Sequence, residues 1–97
     1  MTTLEILDSD RIVECRPLEA GTLTLGRQRT NMVVLDNPGV SRHHLRIDTA
    51  PGGAWHVLED LGSLNGTFVN GQRVGACLLK AGDEVLLGQF LLKIRQD

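Results

Sequence analysis

Val40-Ser41-Arg42-His43-His44 places a hydroxyl, a guanidinium and two imidazoles in one short stretch. A turn signal, Asp36-Asn37-Pro38-Gly39, precedes it. A strand-like alternation comes after it, with Leu45 and Ile47 on one face. Upstream, Gly26-Arg27 closes another alternating run, Thr22-Leu23-Thr24-Leu25. Polar groups suited to gripping an anion are therefore concentrated in loops between short strands.

The same period-2 pattern extends in both directions, and no segment holds a helical period for three turns. Thr3 to Asp8 reads as a strand with Leu4 and Ile6 on one face. Asp8-Ser9-Asp10 turns it into Arg11 to Arg16, which Pro17 ends because proline cannot donate to a ladder. Cys15 alternates with Val13 and is expected to point inward as a small apolar residue. Gly26 to Met32 reads as a polar loop, Val33 to Leu35 as a short strand, and Asp36 to Arg42 as a second loop. His44 to Asp48 and Trp55 to Glu59 flank an Ala50-Pro51-Gly52-Gly53 turn. Asp60 to Gly66 is a third polar loop, before Thr67-Phe68-Val69 and an Asn70-Gly71 hairpin signal. Cys77 to Leu79, Glu84 to Leu87 and Gln89 to Arg95 complete the set, with Phe90, Leu92 and Ile94 sharing a face. The expected fold is all-β: a β-sandwich of about eleven short, mostly antiparallel strands with ligand loops at one end. No boundary, linker or repeat divides residues 1–97, so one domain is expected.

The chain has 97 residues, enough for one modest core, and a net charge of -2. That balance argues against a general nucleic-acid or membrane-surface binder. The charge is uneven, however. Gly26 to Arg46 holds four arginines (27, 29, 42 and 46) against Asp36, leaving that segment at +3 and the remainder at -5. A local basic stretch in an acidic chain fits a focused anion site, or else a solvated face. Two cysteines are too few for a disulfide scaffold. No apolar run reaches the roughly 18 residues of a membrane span, and no signal-peptide pattern opens the chain, which reads as soluble and cytoplasmic.

The candidate anion site combines Arg27 at a strand end, Ser41 and Arg42 in the next loop but one, and Asn65-Gly66 in a third loop. Arginine offers a planar fork of donors to phosphate oxygens, and charge-assisted hydrogen bonds are about twice as strong as neutral ones. Ser41 adds an O–H donor, unless it only bonds its own loop. Gly26 and Gly66 let the backbone approach closely. Ser41 and His44 do not read as a nucleophile and base, because three residues apart in an extended segment they point in different directions. There is no Gly-x-Ser-x-Gly elbow and no orienting acid. His43 and His44 are adjacent and lack paired-ligand spacing, so no metal or cofactor is expected. His44 is expected to serve as a hydrogen-bonding structural residue.

Leu25-Gly26-Arg27, Val40-Ser41-Arg42-His43-His44 and Asp60-Leu61-Gly62-Ser63-Leu64-Asn65-Gly66-Thr67-Phe68-Val69-Asn70-Gly71 together resemble the forkhead-associated (FHA) domain in order and spacing. Leu79 to Gly88 is similar to that family's last turn and strand, and the resemblance covers the whole chain. It implies an eleven-stranded β-sandwich that binds phosphothreonine peptides downstream of a Ser/Thr kinase. By this resemblance Arg27 and Ser41 contact the phosphate, Arg42 contacts the phosphate or the peptide beside it, and Asn65 holds the peptide backbone. His44 ties the site loops together, with Gly26, Gly66, Asn70 and Gly71 as backbone support.

One position departs from the family pattern. Leu64 stands where the family commonly has Thr before Asn-Gly, so a side-chain donor to the phosphate is missing. A hydrogen bond to a charged group is worth roughly 1.5–3 kcal/mol, about one to two decades in affinity. Either Arg27, Ser41 and Arg42 carry binding without it, or Leu64 meets a more apolar partner in a phosphate-independent interaction domain on the same fold.

Overall fold

The computed structural model describes residues 1–97 throughout. Eleven strands form two sheets: β1 (Thr2–Asp8), β2 (Arg11–Pro17), β3 (Gly21–Gly26), β4 (Val33–Val34), β5 (Leu45–Thr49), β6 (His56–Asp60), β7 (Phe68–Val69), β8 (Gln72–Arg73), β9 (Ala76–Leu79), β10 (Glu84–Leu87) and β11 (Phe90–Gln96). The six-stranded sheet has the order β2-β1-β11-β10-β7-β8, and the five-stranded sheet β4-β3-β5-β6-β9. All pairings are antiparallel except β3 with β4. No helix is long and apolar enough to cross a membrane.

Alternation makes the core. Leu4 and Ile6 of β1, Leu23 and Leu25 of β3, Leu45 and Ile47 of β5, Leu58 of β6, Val85 and Leu87 of β10, and Leu92 and Ile94 of β11 all point between the sheets. With few aromatic residues, branched aliphatic side chains fill the space, as the composition requires. The expected strands are present with ends shifted by a residue or so. Gln72–Arg73, too short to carry a periodicity, is the returning arm of the Asn70-Gly71 hairpin, where both turn residues have positive φ (50° and 85°). Ala50 to Gly53 closes as a single 3₁₀ turn, Pro51–Gly53.

Cys15 does not point inward. It is exposed, opposite Glu5 on the outer face of the six-stranded sheet. Val13, from which that position was counted, is itself exposed: a register shift between Ile6 and Leu7 leaves it as the extra, unpaired residue of edge strand β2. The side chains sharing the faces of Leu4 and Ile6 are instead Arg16 and Glu14, which form an ion pair. Inward charges on an edge strand oppose edge-to-edge association.

Strand register positions the loops. Leu25 pairs with Leu45, and Leu45 with Asp60, so these three residues lie at one level of the five-stranded sheet. The chain leaving β3, entering β5 and leaving β6 therefore emerges at one end of the sandwich.

Leu58 has no solvent exposure, whereas Leu78 of the adjacent strand β9, opposite Val57, faces outward. Leu58→Ala is expected to cost about 2–5 kcal/mol in urea denaturation, and Leu78→Ala less than about 0.5 kcal/mol. At the opposite end from the loops, His56 is buried with its Nδ1 2.8 Å from Thr49 Oγ1. Burial lowers its pKa. The unfolded chain thus takes up the proton first, and stability falls as pH drops through the ordinary imidazole value toward the folded one. His56→Asn should flatten that part of the stability–pH curve.

Candidate functional site

The site is built by three loops: 27–32 between β3 and β4, 35–44 between β4 and β5, and 61–67 between β6 and β7. The first two are laced together by backbone. The amides of Arg27 and Gln28 donate to the carbonyls of Ser41 and Arg42, at 3.0 and 3.2 Å, and the Leu35 amide donates to the Gly26 carbonyl. This approach leaves no room at residue 26, where a Cβ would lie 2.2 Å from the Arg42 carbonyl oxygen. Glycine is therefore a steric requirement there. Buried Asn31 completes the seam, its Nδ2 donating to the carbonyls of both Gln28 and Arg42 at 2.7 Å.

His44 joins the third loop. Its ring is wholly buried. Nδ1 accepts the Ser41 amide at 3.1 Å, and Nε2 lies 3.0 Å from the Gly66 carbonyl oxygen. Only the neutral Nε2–H tautomer serves both bonds. Residues 41–44 form a bend rather than a strand, so the imidazole folds back beneath the Ser41 backbone. Both ring nitrogens are committed, and neither can take the Ser41 hydroxyl proton.

Asp60 shapes the third loop from within. One carboxylate oxygen accepts the hydroxyls of Ser63 and Thr67 at 2.5 and 2.7 Å, and the other accepts the amides of Gly62 and Ser63 at 3.0 and 2.9 Å. Burial would raise its pKa, but these four hydrogen bonds outweigh burial and hold the carboxyl below its ordinary value. Ser63 Oγ in turn accepts the Gly66 amide. Thr67 is fully buried by this arrangement.

On this frame the exposed groups converge. Ser41 Oγ accepts the Leu64 amide at 3.0 Å, which fixes the oxygen and leaves its O–H to donate outward. Arg27 is anchored by Nε to the Val40 carbonyl at 3.1 Å, leaving the far edge of its guanidinium free. Asn65 donates from Nδ2 to the Gly39 carbonyl at 3.1 Å, bridging the second and third loops. Arg42 is exposed beside Ser41. Leu64 has 84% of its surface in solvent, so its side chain stabilises nothing within the domain while its amide holds Ser41.

Charge sharpens this picture. Arg16, Arg46 and Arg95 all pair with carboxylates, whereas Arg27, Arg29 and Arg42 have none. Arg46, counted in the basic stretch, is held on the sheet face by Asp48 and Glu59. Asn70 and Gly71 lie away from these loops. The Asn70 side chain donates to Asp83 and accepts the Glu84 amide, fixing the β7–β8 turn to the turn before β10. Sequence reasoning passed over Asn31, Asp60, Ser63 and Thr67. The Asp60-x-x-Ser63 spacing is an Asx-type loop signal that could have found the second and third.

Two consequences are measurable. Gly26→Ala should force the first two loops apart, lowering the unfolding midpoint and abolishing any ligand binding at Ser41. Because the folded Asp60 carboxyl has the lower pKa, its stabilisation is complete above the ordinary carboxylate range and is lost as pH falls through the folded value. Asp60→Asn should remove that component of acid sensitivity, and amide exchange should quicken at Gly62 and Ser63.

Comparison with known proteins places this geometry. The FHA domain family model matches residues 23–88. The glycogen accumulation regulator GarA of Mycolicibacterium smegmatis is 41% identical over 75 residues, which are 77% of this chain and 46% of that protein. An ABC transporter ATP-binding/permease protein of Mycobacterium tuberculosis is 44% identical over 75% of this chain and 8% of its own length. The chain thus spans half or less of these curated relatives. A domain solved in a study of phosphothreonine-dependent FHA interactions is 33% identical, covering 99% of this chain and 96% of that one with a TM-score of 0.88. The FhaA FHA domain, solved with the intracellular domain of Rv3910, is 34% identical over 98% of this chain and 100% of its own, also at 0.88. With the family model, the eleven-stranded sandwich and the three interlocked loops in agreement, this chain belongs to the FHA domain family.

Proposed function

We propose that this domain is a phosphothreonine-dependent peptide-binding module that reads the output of a Ser/Thr kinase. The observation that carries the reading is a Ser41 hydroxyl whose oxygen is fixed by the Leu64 amide, next to an Arg27 guanidinium that is anchored at the Val40 carbonyl and has no carboxylate partner. A phosphate ester carries about -1.5 to -2 charge at neutral pH and three strong acceptors. Arg27 supplies charge and a fork of donors, and Ser41 a short O–H donor. In this reading Asn65, whose Nδ2 is engaged by the Gly39 carbonyl, holds the peptide backbone through the carbonyl side of its amide. These roles support binding and release rather than turnover, since His44 offers no base to Ser41.

Leu64 bears on affinity. Its side chain contributes no hydrogen bond where a hydroxyl would stand near the phosphate. Its exposure also supports a second reading, in which Leu64 is the apolar centre of a phosphate-independent contact with a partner domain. Competition separates the two, because free phosphothreonine peptide displaces the partner only under the first.

The direct test is binding of a degenerate phosphothreonine peptide library against its unphosphorylated twin. Phosphate-dependent binding is expected, and equal binding of both would sink the proposal. Arg27→Ala and Ser41→Ala should each lose most of the affinity with little change in unfolding midpoint. Leu64→Thr should raise phosphopeptide affinity by about ten- to a hundredfold, the worth of one hydrogen bond to a charged acceptor.

A further inference from the structure

Strand β9 closes one side of the five-stranded sheet and pairs only with β6. The Asp60 amide donates to the Gly75 carbonyl at 2.8 Å, in line with the β6–β9 register. Gly75, Cys77 and Leu79 therefore turn their backbone groups toward β6. Ala76 and Leu78 alternate with them and turn theirs away, and the N–H and C=O of both lack a partner within the domain. On either side of these two residues the edge is closed. The Val74 amide is taken by the Thr67 carbonyl at 3.0 Å, and the Lys80 amide by an Asp83 carboxylate oxygen at 2.9 Å. Sheet edges are ordinarily blunted by charge or by brevity. β2 carries the Glu14–Arg16 pair, and β4 and β8 are two residues long. β9, with four residues, has neither protection. No charged side chain lies between Arg73 and Lys80, and Leu78 is 68% exposed on the outer face beside Val57.

We propose that this edge is a self-association surface, on which β9 of a second copy of the domain pairs antiparallel about a two-fold axis. One register satisfies every free group. With Ala76 opposite Leu78 of the second copy, and Leu78 opposite its Ala76, each pair exchanges both N–H···O bonds. A shift by two residues brings in Val74 or Lys80, whose amides are already engaged. A shift by one sets the free groups against residues that face β6. In the favoured register the large Leu78 side chain lies against the small Ala76 of the second copy, and Lys80 falls opposite Val74, so no like charges oppose one another. The axis then passes between the two copies of Cys77, a non-hydrogen-bonded pair with Cα atoms about 4.5 Å apart. That separation lies within the roughly 4.4–6.8 Å that a disulfide spans, and Cys77 is a free, partly exposed thiol. Because the paired strands run in opposite directions, the two sets of site loops point away from each other.

Two backbone pairs and two covered leucines make a small contact, with a dissociation constant on the order of 0.1–1 mM. Sedimentation equilibrium of the full chain under reducing conditions, carried to the top of that range, should show monomer and dimer in exchange. Leu78→Pro removes an outward N–H and Leu78→Lys places a charge on the edge, and neither touches the β6 ladder. Each should weaken dimerisation by about tenfold or more. If Leu78→Pro fails to fold, Leu78→Lys decides. Oxidation reads the register. With Cys15→Ser removing the other thiol, diamide should link the dimer through Cys77, and Leu78→Lys should slow that linkage. A monomer throughout the range overturns the proposal, as does a dimer indifferent to the Leu78 variants. A dimer that depends on Leu78 but is not trapped through Cys77 overturns the register. No phosphopeptide is present, so the result is independent of the phosphothreonine reading.

Discussion

The two hydrogen bonds of the buried His44 ring hold the site loops in one arrangement. Nδ1 takes the Ser41 amide and Nε2–H gives to the Gly66 carbonyl, so one side chain spans two loops that strand pairing alone leaves independent. Both groups it satisfies are backbone atoms near the ligand-facing surface. A buried amide or carbonyl without a partner would cost about 1–3 kcal/mol, so loss of the ring would relax both loops together. Asn31 and Asp60 extend the same principle, each saturating several donors or acceptors from behind while the residues facing outward stay uncommitted.

That division between braced interior and free exterior determines what the surface can do. Ser41 and Arg27 are each fixed at one point and unpaired at their donor ends. Binding a phosphorylated segment then requires little further ordering of the protein, which leaves more of each charge-assisted contact as affinity. A net charge of -2 on the chain, with Arg27, Arg29 and Arg42 unpaired in the first two site loops, disfavours indiscriminate binding of polyanions while attracting a single compact dianion.

Much of this was legible in the sequence because period-2 alternation and turn chemistry agree with one another from Thr3 to Arg95. Arg27, Ser41 and Asn65 could be read as one site because their motifs stand in register with a family pattern, and strand register does bring their loops to one end. Other features depended on contacts that no local pattern encodes. Cys15 was misplaced because Val13, taken as inward, sits exposed at a register shift of the edge strand. Asn31 looked like one more polar loop residue, and its role emerges only when Gln28 and Arg42 are seen to meet. Arg46 counted toward the basic stretch, but Asp48 on the same strand and Glu59 across on β6 pair with it on the sheet face.

The central claim is that three loops braced from behind form one phosphate-reading surface. It is tested most directly by amide-resolved NMR titration with a single phosphothreonine peptide and its unmodified counterpart. The account predicts shifts centred on Arg27, Ser41, Arg42, Leu64 and Asn65 with the phosphorylated peptide and none with the other. Shifts of equal size with both peptides, or centred on the outer sheet face around Phe68 and Leu86, would contradict it.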